Sequence, residues 1–260
     1  MSPDPIPEII RADNVTKRFG ALTAVDGVSF SLREHEVVGI IGSNGAGKTT
    51  FFNLLTGYFE PDEGTIRYKG EDLSGVSAQK RVAMGMTRTF QLTSTFDNLT
   101  VVDNLVLCFF RAHRKASLFG MLFTTCRRYR NEDKVVQALE SFDLENQRDR
   151  EVRHLSLGEK RRLELAMAML AEPQVLLLDE PLAGLAESEI RSVLDVLGRQ
   201  IGRQTIVIVE HKISQVKDFV QRLTVMHEGK VIAEGGYDEV LRHPEVRKSY
   251  WRIGEDGETP

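Results

Sequence analysis

The sequence predicts an α/β fold with a mixed sheet core, an antiparallel β portion near the N-terminus and a helical portion in the middle third. Three observations carry this expectation. The short apolar runs VVGII at 37–41, VLLL at 175–178 and IVIV at 206–209 lack alternation and suit strands buried on both faces of a sheet. Helix-period segments lie between them, the pattern of crossover connections joining parallel strands. By contrast, VSFSL at 28–32 alternates strictly, as a half-buried antiparallel strand does.

Taken in order, the start MSPDPIPEII is proline-rich and is expected to be frayed, with residues 1–8 flexible. VSFSL and VVGII follow, the latter ending at Gly42. A helix is expected over 49–55, stopped by Gly57, and 65–69 alternates again between the turn EPDEG and Gly70. In the middle, Thr100 with Asp103 resembles a capping box ahead of VVDNLVLCFF, and Asn131 is placed to cap NEDKVVQALESFDL. Beyond Pro173, two apolar strands flank a helix over about 187–202. LTVMH, Glu228-Gly229 and KVIAE read as a hairpin, followed by short helices at YDEVLRH and EVRKSYW. The expected organisation is one domain over 9–252, with a helical subdomain at about 92–172 and a flexible tail at 253–260.

Composition limits the function classes. The 260 residues carry 34 Lys+Arg against 38 Asp+Glu, a net charge of −4, which argues against a protein that coats nucleic acid. At 41% hydrophobic and 28% charged, the chain has the balance of an ordinary globule that builds its own core. No apolar run approaches the ~20 residues that span a bilayer, and no secretory signal pattern opens the chain, so it is expected to stay in the cytoplasm. Cys108 and Cys126 have no metal-ligand spacing, which fits a reducing compartment. One local imbalance stands out: residues 104–131 hold six basic and no acidic side chains.

The motif with the most specific chemistry is GSNGAGKTT, Gly42 to Thr50, which follows a buried strand and opens a helix. Gly42, Ser43, Asn44, Gly45, Ala46 and Gly47 allow backbone N–H groups to curl around phosphate. Lys48 brings a point charge, Thr49 a hydroxyl able to ligate Mg²⁺, and Thr50 continues the cradle. VLLLDEP places two carboxylates at a strand's C-terminal end, where ligands sit in parallel α/β sheets. Asp179 is expected to hold Mg²⁺, and Glu180 to polarise an attacking water as general base. In HLSLGEKRRLELAMAML, Ser156 and Gly158 stand at a helix start, which in isolation reads as a serine N-cap and beside the phosphate loop as a second anion site, ahead of an apolar stripe of Leu163, Ala166, Met167 and Leu170.

These pieces, in this order, resemble an ATP-binding subunit of the ABC transporter family over nearly the whole chain. The resemblance implies ATP and Mg²⁺ as cofactors and a head-to-tail dimer with a second ATPase subunit, identical or paralogous. In such a dimer, Ser156 and Gly158 of one subunit close over ATP held by the other. It implies further that Phe19 stacks on adenine, that Gln91 senses Mg²⁺ and the attacking water, and that His211 contacts the γ-phosphate. Lys48, Gln91, Glu180 and His211 are thus the catalytic set, with Thr49, Gln91 and Asp179 around the metal. Three positions depart from the usual pattern: Ala186 stands where Asp or Asn is common, Lys212 follows His211 in place of an acid, and Leu157 replaces a glycine.

The insert CFFRAHRKASLFGMLFTTCRRYR and the ending GKVIAEGGYDEVLRHPEVRKSYW resemble those of branched-chain, hydrophobic amino-acid importers. That likeness implies membrane-spanning permease subunits as direct partners, an external substrate-binding protein as an indirect one, and a peripheral place on the cytoplasmic face of the inner membrane. Urea or short-amide importers and lipid or lipopolysaccharide exporters share the architecture. A soluble ABC ATPase of DNA repair or translation is less favoured, because such relatives carry two cassettes or a long coiled coil.

Overall fold

The computed structural model describes residues 6–89, 95–113, 129–211 and 213–251. Gln91, Lys212, Cys126, most of the basic insert and the tail at 253–260 lie outside the described residues.

The chain opens with β1 (Glu8–Phe19) and β2 (Leu22–Arg33), an antiparallel pair. The sequence reading missed β1 for a physical reason: register shifts around Ala12–Val15 and Val15–Lys17, with Asn14 at φ 48°, break the period-2 pattern. Next come β3 (Val37–Gly42), α1 (Lys48–Thr56), β4 (Glu63–Tyr68), the two-residue β5 (Glu71–Asp72), α2 (Ala78–Ala83) and β6 (Met86–Arg88). Gly57 ends α1 in the left-handed region at φ 78°.

The middle is helical as expected, with α3 (Val101–His113), α4 (Asp133–Ser141) and α5 (Leu157–Met169). The Thr100 hydroxyl accepts from the Asp103 N–H at 3.2 Å and donates to the Asp103 carboxylate at 2.7 Å, so the cap on α3 is real, though reciprocal only through side chains. Asn131 does not cap α4. Glu132 holds the N-cap position, and the Asn131 Oδ1 instead accepts from Arg148 Nη2 at 2.5 Å. The chain closes with β7 (Val175–Asp179), α6 (Glu187–Gly198), β8 (Thr205–Glu210), α7 (Ile213–Val216), β9 (Arg222–His227), β10 (Lys230–Gly235), α8 (Tyr237–Arg242) and α9 (Pro244–Trp251). Glu228 and Gly229, at φ 46° and 79°, make the tight turn between β9 and β10.

Among the described residues, a four-stranded antiparallel sheet has the order β2-β1-β4-β5 and a six-stranded sheet the order β10-β9-β3-β8-β7-β6. The larger sheet is parallel from β9 to β6, with β10 antiparallel at its edge, and is therefore mixed. Its strands face two cores. Val37, Ile41, Leu176, Leu178, Ile206 and Ile208 point to the side packed by α3, α4, α5 and α6. Val38, Ile40, Val175, Leu177, Val207 and Val209 point to the side packed by α1 and the antiparallel sheet. Each such side chain contributes about 1.5–3 kcal/mol by burial, so the unbroken apolar runs hold both layers onto one sheet. The C-terminal ends of β3, β7 and β8 consequently meet along one edge.

Candidate functional site

The loop after β3 is shaped by its glycines. Gly47 sits at φ 94°, and a Cβ there would come within 2.3 Å of the Ala24 carbonyl oxygen, so glycine alone fits. The first turn of α1 carries no acidic residue, which leaves the positive end of its dipole unneutralised and turned towards the loop. Lys48 is 4% exposed, and its Nζ donates to the carbonyls of Gly42 at 2.7 Å and Ser43 at 3.0 Å. Burial pulls its ammonium below the usual lysine value, and the nearby Glu180, Glu210 and Asp179 carboxylates oppose that pull.

Asp179 ends β7 and is fully buried. Its Oδ2 accepts from Arg88 Nη2 at 2.6 Å, while Arg88 Nη1 donates to Asn53 Oδ1 at 2.6 Å. The Arg88 guanidinium also lies 4.8 Å from the Phe52 ring centroid and 5.0 Å from that of Tyr58. One side chain thus ties α1, β6 and β7 together. Burial raises the Asp179 carboxyl above the usual range, against the pull of Arg88. Its other oxygen, Oδ1, is buried with no hydrogen-bond partner among the described residues, an open acceptor of the kind a hard cation fills.

Glu180 is held at φ 48°, a conformation that costs a non-glycine residue on the order of 1–3 kcal/mol. Its N–H donates to the Val209 carbonyl at 3.0 Å, which fastens the turn to β8. This geometry aims its carboxylate at His211, whose Nε2 lies 2.8 Å from Glu180 Oε1. With Glu180 ionised, the shared hydrogen must sit on Nε2. Glu210, just before His211, is buried, and its Oε1 accepts from the Leu182 N–H at 2.9 Å. Burial raises its carboxyl above the usual range.

Asn44, Gly45, Ala46, Gly47, Lys48, Thr49, Thr50, Glu180 and His211 line one cleft of about 680 Å³, closed on the other side by Leu22–Ala24 and the Glu228-Gly229 turn. The structure therefore brings together the loop, the carboxylate and the histidine that the sequence singled out. Phe19 is not part of that lining. It is 44% exposed at the end of β1, edge-on to Phe59 at 5.3 Å, and its cross-strand partner Leu22 reaches the cleft instead. Ser156 and Gly158 are also outside the lining, at the head of α5. Gln91 lies outside the described residues.

Residues 25–183 match the family described as ABC transporter. The chain belongs to the ABC transporter family. This ABC cassette is 36% identical over 247 residues to the high-affinity branched-chain amino acid transport ATP-binding protein LivG of Salmonella typhimurium, covering 93% of this chain and 97% of LivG. It is 35% identical over 248 residues to the corresponding protein BraF of Pseudomonas aeruginosa, with coverage of 93% and 97%. The solved ADP conformation of MJ1267, an ATP-binding cassette of an ABC transporter, superposes with a TM-score of 0.80 at 31% identity, covering 95% of this chain and 99% of that one. As in those cassettes, the fold is a nucleotide-binding one. No helix among the described residues is long and apolar enough to cross a membrane.

Sequence reasoning missed two members of the cassette's site. Arg88 stands in TRTFQ, a string read only for its glutamine, and Glu210 precedes the histidine in VIVEH. Glu210 did leave a signal, since an acid ending an otherwise apolar strand must find a buried donor. Arg88 left none, because its partners are 35 and 91 positions away.

Proposed function

We propose that this chain is the ATP-binding and ATP-hydrolysing subunit of an importer that powers uptake of branched-chain or other hydrophobic amino acids through separate membrane-spanning subunits. The observation that carries the reading is the convergence of the phosphate loop, Glu180 and His211 on a single cleft. The cargo class rests on the similarity to LivG and BraF.

The loop N–H groups from Asn44 to Thr49 bind the β-phosphate, and Lys48 exchanges its contacts with Gly42 and Ser43 for β- and γ-oxygens. Thr49 and Asp179 would hold Mg²⁺, with Asp179 offering its open Oδ1. A site of one carboxylate, one hydroxyl and substrate phosphates suits this ion, which seldom has an all-protein cage, and bound there it neutralises charge on the phosphates. Glu180 orients the attacking water and takes its proton, held in line by His211 at 2.8 Å. Gln91 adds a contact to the metal and water, and Phe19 one to adenine. Ser156 and Gly158 lie outside the cleft of their own chain and complete that of a second ATPase subunit, head to tail. The helical stretch at about 92–172 meets the permease on the cytoplasmic face of the membrane, and an external binding protein delivers cargo.

The test is Glu180→Gln. Loss of a general base costs about 10²- to 10⁴-fold in turnover, while ATP binding is retained and the protein accumulates as a closed dimer on size exclusion. Near-normal hydrolysis by this variant removes Glu180 from the role and the mechanism with it.

A further inference from the structure

The head of α5 already holds an anion supplied by the same chain. Glu189, in the first turn of α6, accepts the Gly158 N–H on Oε1 at 2.9 Å and the Ala186 N–H on Oε2 at 3.1 Å. The Gly158 N–H first, then the Ala186 N–H and the nearby Ser156 hydroxyl, hold its carboxyl below the usual range. The fit is close. A Cβ on Gly158 would stand 2.9 Å from Glu189 Cβ and 3.0 Å from its Cγ, so the glycine is required by the glutamate packed against it. Gly158 is buried beneath that side chain.

Glu189 is not needed to cap α5. Ser156 Oγ accepts the Glu159 N–H at 3.2 Å, and Glu159 Oε2 accepts the Ser156 N–H at 2.8 Å, which completes the capping box without it. Its carboxylate therefore occupies the Gly158 N–H, beside the Ser156 hydroxyl, a donor that a phosphate from a facing subunit would use. One N–H serves one strong acceptor at a time, so Glu189 and a phosphate compete for the Gly158 N–H.

We propose that Glu189 is an internal phosphate mimic that fills the Ser156–Gly158 anion site in the separated subunit and must yield it to the triphosphate of a facing copy, so that it sets the nucleotide concentration at which two subunits close. This rests on the dimer reading given under Proposed function. Because Glu189 Oε2 also holds the Ala186 N–H, its release frees the start of α6 in the same step. The loop between Glu180 and α6 thus senses whether the opposite site is filled, at a position where Ala186 has no side-chain acceptor of its own.

The experiment uses the full chain carrying E180Q, titrated with Mg·ATP and followed by light scattering. Addition of E189Q keeps an acceptor for Gly158 but removes the charge, and since charge-assisted hydrogen bonds are about twice as strong as neutral ones, half-closure should need about tenfold less ATP. ADP affinity, measured on the monomer, should be unchanged. E189A should also lower the requirement. If Glu189 merely scaffolds the loop, E189A raises the ATP requirement and E189Q restores it, and that pattern overturns the proposal. An unchanged requirement in both variants overturns it too. If E180Q alone never closes at millimolar ATP, the dimer reading itself fails first, a result separable from either of these.

Discussion

Replacing Arg81 with Met tests how the phosphate-loop helix is anchored at its far end. Arg81 is 1% exposed, among the largest fully buried side chains. Its Nη1 donates to the carbonyls of Leu54 at 2.8 Å and Leu55 at 3.0 Å, in the last turn of α1, where helix carbonyls lack i+4 partners. Nη2 donates to the Leu73 carbonyl at 3.0 Å and Nε to that of Val76 at 2.9 Å, with Glu60 further off at 3.7 Å. A positive charge at a helix C-terminus also complements the dipole. Met fills much of the volume but donates nothing. The Leu54 carbonyl keeps the Gly57 N–H at 3.3 Å and that of Leu73 the Val76 N–H at 3.0 Å, so the loss falls on Leu55 and Val76. Each buried acceptor left without a donor costs about 1–3 kcal/mol, about 4 kcal/mol for the two, within the range for breaking a buried charged contact. For a chain of this size, about 2–4 °C are lost per kcal/mol, which gives a fall in melting temperature of about 8–16 °C by circular dichroism. Lys at this position recovers less than half, because three ammonium donors on one atom cannot reach four carbonyls spread over two segments. A fall below about 3 °C for Arg81→Met would refute the reasoning.

Two further outcomes follow from groups already described. Lys48→Ala removes a charge-assisted contact to phosphate worth about 1.5–3 kcal/mol, so ATP affinity measured by calorimetry should drop by about 10- to 150-fold, and an unchanged affinity would deny Lys48 its place. Glu36 pairs with Arg222 Nε at 2.7 Å and Nη2 at 3.0 Å, and the same guanidinium reaches the Ser31 carbonyl at 2.6 Å, joining the two sheets. Burial alone would raise the Glu36 carboxyl, but Arg222 and the Arg33 N–H outweigh it and leave the carboxyl below its ordinary value. A lowered carboxyl stabilises the fold above the unfolded-state value of about 4.3 and loses that contribution as pH falls through the folded-state value. Glu36→Gln should therefore cost stability at pH 7 in urea titrations and converge on the parent only as pH falls below the lowered folded-state value, whereas a deficit that widens in acid would contradict the pairing.

What could be read without the structure divides by where each residue finds its partner. VVGII, GSNGAGKTT and VLLLDEP were legible because their requirement is local: a strand buried on both faces needs unbroken apolar residues, and a phosphate cradle needs glycines before a helix. Lys48 and Glu180 stand out for the same reason, each an unusual side chain inside its own short motif, whereas His211 is singled out only through the family resemblance. Arg88, Arg81 and Glu189 did not stand out, because each is satisfied by another segment: Arg88 by residues 53 and 179, Arg81 by the ends of α1 and the stretch after β5, Glu189 by the head of α5. Local pattern was even misleading where such a contact intruded, as at Asn131, whose side chain Arg148 claims from the helix it was expected to cap. Once the sheet order is known, the same residues become the informative ones. Arg88 and Glu189 stand where separate segments are held together, and a change at either alters the geometry of Asp179 or Gly158 without touching the motif itself.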